Sequence, residues 1–131
     1  MLLDPSGDLY VTEYAGNRIR RITPAGVVST FAGALTPGAT DGTGTGASFY
    51  QPTGLCRDGS GNLYVADSRN YAIRRITPGG VVTTVTGGVA SFADGSLAAA
   101  RFGYVYDVKL GPAGELYVTD LGNYRIRVIC P

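Results

Sequence analysis

One segment occurs three times in this chain. GDLYVTEYAGNRIRRI at 7–22 recurs as GNLYVADSRNYAIRRI at 61–76 and as GELYVTDLGNYRIRVI at 114–129. The second and third copies share 10 of 16 residues, the first and second 8 of 16, and Tyr10, Tyr64 and Tyr117 lie 54 and 53 residues apart. Self-similarity at such a period means stacked supersecondary units, none of which buries its apolar face alone. Residues carried by every copy are scaffold before they are active site, so symmetry-breaking residues are the better functional candidates.

The unit 52–87 is the most complete. PTGLCRD, LYVAD at 63–67, IRRI at 73–76 and VVTTVTG at 81–87 read as four short strands, a to d, parted by Gly-, Asn- and Pro-bearing turns. The first unit places strands at 1–4, 9–13, 19–22 and 27–32; the third at 105–110, 116–120 and 126–130, with no strand d. The single segment 1–131 thus divides into repeat units 1–33, 34–87 and 88–131, the last lacking its outer strand. Connectors at 34–51 and 88–104 each carry Asp-Gly and then Phe (Asp41, Gly42, Phe49; Asp94, Gly95, Phe102), and SLAAARF in the second fits one helical turn. Strands reading LYVA are apolar on both sides and need cover on both faces. Radial stacking supplies it, which predicts an all-β chain of β-propeller blades built as four-stranded antiparallel meanders. A two-sheet sandwich would need cleaner alternation and leaves the period unexplained.

With 11 basic and 10 acidic residues, net +1, there is no bulk field to attract nucleic acid or an acidic membrane. No apolar run approaches the ~18 residues of a membrane span. MLLDPSGDLY lacks the features of a signal peptide. Met1 falls inside a repeat, as in a stretch taken from a longer run of units, and compartment is left open. Cys56 and Cys130 occupy different repeat positions; they can be bridged, or be a buried hydrophobe and a terminal thiol, the simpler reading.

GNLYVAD, N-Y/R-x-I-R-x-I and GVVTTVTG, with P-x-G opening the unit (Pro52, Gly54), closely resemble the NHL repeat. The resemblance implies a β-propeller, commonly of six blades, and the Asp-Gly…Phe…P-x-G connector looks like the bacterial version, from a parent that is secreted or extracytoplasmic. Glu13 replaces Asp, Gly16 stands for Asn, and Val105, Tyr106 and Asp107 stand where P-x-G would be. Relatives of this kind serve as protein- or RNA-binding platforms, as sensor modules and, occasionally, as metal-dependent lyases, so the resemblance implies shape more than activity.

Three blades span half of a six-bladed circle. If each end face offers on the order of 500 Å² of apolar area, burying it is worth up to roughly 10 kcal/mol. The expectation is a homodimer completing six blades. With no His, Ser–His–Asp and Cys–His nucleophiles and His-bound zinc are excluded. Glu13, Asp67 and Asp120 share one repeat position and read as acceptors for turn amides and a neighbouring Arg; Asp41 and Asp94 read as Asx turns in preference to calcium ligands. The series Arg20, Arg21, Arg74, Arg75, Arg125 and Arg127 reads as structural pairing more than an RNA platform. Expected catalytic and metal residues are therefore none, with no cofactor. Candidate binding residues are Tyr14, Tyr50, Arg69, Tyr104 and Tyr106, on b–c turns and connectors. The function expected is a non-enzymatic, self-assembling scaffold for a protein or glycan. The alternatives are an RNA-binding platform and a carboxylate- or metal-dependent lyase or hydrolase.

Overall fold

The computed structural model describes residues 1–131 and is all-β apart from single 3-10 turns. The first blade holds β1 (Leu2–Leu3), β2 (Leu9–Glu13), β3 (Arg18–Ile22) and β4 (Val28–Gly33), paired in that order. A two-residue strand, β5 (Gly42–Thr43), then precedes the second blade of β6 (Pro52–Arg57), β7 (Leu63–Asp67), β8 (Ala72–Ile76) and β9 (Val81–Gly87). β5 pairs with β9 as a fifth, outermost strand, which the Gly/Thr-rich connector did not announce. The third blade is β10 (Val105–Leu110), β11 (Leu116–Asp120) and β12 (Arg125–Ile129). Every ladder between these strands is antiparallel. SLAAARF closes only one turn, the amides of Ala99 and Ala100 both donating to the Ser96 carbonyl.

The middle blade is covered on both sides, and all five residues of β7 are buried. Leu63, Val65 and Ile76 meet Tyr10 and Ile19 of the first blade, with Phe49 and Ala47 from the connector between them. On the opposite face Tyr64, Ala66 and Ile73 meet Leu116, Val118 and Ile129 of the third blade, with Phe102 and Ala100. The connectors thus supply the aromatic filling of each seam. A β-bulge at the same place in the first two blades turns an outer-strand residue inward: Phe31 is skipped between Ala32 and Thr30, and Val85 between Thr86 and Thr84. Both pack on the adjoining core, and the Phe31 ring meets Tyr10 edge-on at 5.1 Å between centroids.

The inner strands explain P-x-G. β6 and β10 pack side by side near the axis. A Cβ on Gly54 would stand 2.7 Å from the Asp107 Cα, a backbone atom that cannot swing away. Gly54→Ala is therefore expected to cost about 1–3 kcal/mol, read as a fall in the urea midpoint. An alanine variant as stable as the parent would contradict the close approach.

Candidate functional site

The repeated charges form latches. The Asp67 Oδ2 accepts from Arg74 Nη1 at 2.8 Å and from Asn70 Nδ2 at 2.7 Å, and its Oδ1 accepts from the Tyr50 amide at 2.8 Å. Asp120 repeats the set with Arg127 (3.0 Å), Asn123 (2.9 Å) and the Gly103 amide (3.0 Å). Asp67 and Asp120 are fully buried, Arg74 and Arg127 nearly so. Burial pushes the Asp67 carboxyl above its usual range, and the three donors offset only part of that cost.

Asp41 and Asp94 are not Asx turns. Each supplies a second carboxylate to the same guanidinium, Asp41 to Arg74 Nη2 at 2.9 Å and Asp94 to Arg127 Nη2 at 2.8 Å. Burial raises the Asp41 carboxyl, but hydrogen bonds from Arg74 and Thr84 outweigh it and hold the group below the carboxylate range. Arg74 also donates to the Thr40 and Ser48 carbonyls, and Arg127 to those of Ala93 and Arg101. The Phe49 and Phe102 rings lie under the two guanidinium carbons at 5.0 and 4.7 Å. Each latch therefore ties a connector to the blade that follows it. In the first blade the more exposed Glu13 takes Arg18 and Arg20 together. The Asx turns of this fold lie elsewhere: Asp4 and Asp58 accept from the amides two and four residues on, in the a–b turns.

The five candidate binding residues collect at one rim, where b–c turns and connector ends meet. Tyr14 (first blade), Arg69 (second), and Tyr104 and Tyr106 (before and within β10) line a shared cleft of about 360 Å³ with Gln51, Thr53, Ser68 and Leu121. Tyr50 borders it through Arg69, whose guanidinium carbon lies 5.9 Å from the Tyr50 ring centre and 5.3 Å from that of Tyr104. Arg69 Nε donates to Gln51 Oε1 at 3.0 Å and Nη1 to the Tyr104 hydroxyl at 3.3 Å. Tyr71, in left-handed backbone at φ 54°, adds its ring 5.4 Å from Tyr104, whose hydrogen bond pushes the Tyr71 phenol above its usual range. Tyr106 is the extra residue of an inner-strand bulge between Val105 and Asp107, which re-aims its side chain. Tyr14, Thr53 and Tyr106 also border a second cleft of about 610 Å³ along the inner strands, where Asp107 and Lys109 pair at 3.5 Å. Gln51, Thr53, Ser68, Tyr71 and Leu121 are site residues outside the five candidates; the clue to Gln51 and Tyr71 was adjacency to Tyr50 and Asn70.

Four of the six series arginines, Arg20, Arg21, Arg74 and Arg127, are held by carboxylates. Arg125 lies over the Phe92 ring at 4.2 Å. No group of three or more Cys, Asp or Glu side chains is arranged to hold a metal ion. Both cysteines are free; Cys56 is buried between the second and third blades, which pushes its thiol up to about 11.

Residues 49–76 match the family model of the NHL repeat. The chain is 30% identical over 139 aligned positions to NHL repeat-containing protein 2 of Homo sapiens, covering 96% of this chain and 19% of that protein. Among solved structures, a protein of unknown function from Bacteroides thetaiotaomicron is 31% identical at TM-score 0.87, over 93% of this chain and 32% of that one. An auxiliary nutrient binding protein from the same organism is 24% identical at TM-score 0.86, over 96% and 35%. An enzyme shares the fold more distantly: a virginiamycin B lyase from Staphylococcus aureus, solved with quinupristin as a catalytically inactive His-to-Ala variant, is 20% identical at TM-score 0.61, over 97% and 39%. The chain spans about a fifth of the human relative and about a third of each Bacteroides structure.

Proposed function

We propose, for a chain composed of NHL repeats folded as propeller blades, that it works as a non-catalytic binding scaffold whose rim loops take a protein or glycan ligand. One observation carries this reading. Most of the charged side chains repeated in the copies are spent on latches and ion pairs, whereas Tyr14, Arg69, Tyr104 and Tyr106, which break the repeat, line one open cleft that Tyr50 borders. Carboxylate catalysis has little to draw on, because Glu13, Asp67 and Asp120 each hold an Arg. The sequence has no His, the residue whose replacement leaves the lyase inactive. An RNA platform would need a free Arg series, and four of the six series arginines are held by carboxylates. Arrays of peptides and oligosaccharides test the proposal. A ligand class is expected to bind, and Tyr14→Ala with Tyr104→Ala should weaken it by at least about tenfold, the usual cost of losing aromatic anchors. No binding, or binding indifferent to both changes, overturns the reading.

The same proposal includes self-association. Tyr117 and Ile126 of the third blade occupy the places that Tyr64 and Ile73 hold in the second, yet they are 42% and 67% exposed where those are 6% and 0%. Leu9, Val11 and Ile22 of the first blade match the buried Leu63, Val65 and Ile76 and are only half buried. The face that one end presents is the counterpart of the face at the other. A second copy of the chain is the occupant this pattern fits, third blade against first at two seams, closing six blades about a two-fold axis.

A further inference from the structure

Arg69 is the residue that the latches do not absorb. The first and third blades carry Ala15 and Gly122 at its position, so stacking does not require it. It is exposed, yet held: Gln51 and Tyr104 fix two of its nitrogens, and the Tyr50 and Tyr104 rings flank its plane. No carboxylate lies within ion-pair reach of it, and no acidic side chain lines its cleft. Its Nη2 makes no hydrogen bond. A guanidinium fixed in place with an open edge is shaped for bidentate capture of a carboxylate.

The surroundings narrow the ligand. Three phenols, from Tyr14, Tyr104 and Tyr106, offer apolar ring faces with hydroxyl tips, and Thr53, Ser68 and Gln51 add short polar groups. That lining is rich in hydroxyls, with Leu121 its one aliphatic hydrocarbon side chain; it offers ring faces to the C–H faces of sugar rings and little aliphatic surface to a peptide side chain. We infer that the Arg69 cleft binds an acidic oligosaccharide, the Tyr rings stacking on its rings and Arg69 taking the carboxylate of a uronic acid unit. This rests on the reading of the rim as a binding surface and goes further by naming the ligand class.

Titration calorimetry with a galacturonic acid trimer, the neutral galactose trimer and pentaglutamate tests it. The acidic trimer is expected to bind at least tenfold more tightly than either of the others. Arg69→Gln, at an exposed position that leaves the cores untouched, should remove that preference, so that the acidic trimer binds no more tightly than the neutral one. Equal binding of the two sugars, indifferent to Arg69→Gln, would overturn the acidic preference while leaving the rim a sugar-binding face. Tighter binding of pentaglutamate would overturn the glycan and leave a peptide-binding rim. Failure of all three probes would overturn the inference, while array binding sensitive to Tyr14→Ala and Tyr104→Ala would still uphold the scaffold reading.

Discussion

Arg74→Ala is expected to lower the unfolding free energy by about 3–5 kcal/mol, out of the roughly 5–15 kcal/mol that holds a domain of this kind. The guanidinium joins two carboxylates and two carbonyls of the connector and covers the Phe49 ring. Its removal strands Asp67, fully buried, with only the Tyr50 amide and Asn70 to face its charge. A buried pair is not strongly stabilising in itself; the large effect comes from leaving half of one behind. Arg20→Ala is the matched control. Arg20 sits at the same repeat position but is partly exposed, and Glu13 keeps Arg18 when it is lost, so about 0–1 kcal/mol is expected. Urea unfolding of both variants decides. If Arg74→Ala costs no more than Arg20→Ala, the latch does not hold the connector.

Sedimentation equilibrium at micromolar concentration should find twice the 13.6 kDa chain mass. Ile126→Asp should return the single chain, with a dissociation constant raised by at least about a thousandfold. Each seam loses an isoleucine worth about 1.5–3 kcal/mol on burial and gains an unpaired carboxylate costing several more, and a ring has two seams. Val89→Asp, exposed on a connector, should leave the mass unchanged. A parent chain that sediments as a monomer would sink ring closure.

Strand positions were legible because they depend on local composition. The three b strands begin and end where LYVTE, LYVAD and LYVTD do, and β10 runs over the expected 105–110. All three c strands start one residue early, at Arg18, Ala72 and Arg125, directly after Asn17, Tyr71 and Tyr124, whose left-handed backbone ends the turn. The roles of Asp41 and Asp94 were not legible, since their partners lie 33 residues downstream and no local pattern announces such a pairing. One signal was there. Both acids stand the same distance before an Arg of strand c, and spacing kept across two copies points to contact. The candidate residues were chosen for breaking the repeat, and a chain read in one dimension could not tell that turns from three blades share one rim; that follows from the stacking.

The order of the latch parts along the chain bears on synthesis. Every side chain or carbonyl that Arg74 grips, from Thr40 to Asp67, precedes it, and the same holds for Arg127 from Ala93 to Asp120. A growing polypeptide that has just released its arginine from the ribosome already owns everything the lock requires, so each connector can be fastened before the next one emerges.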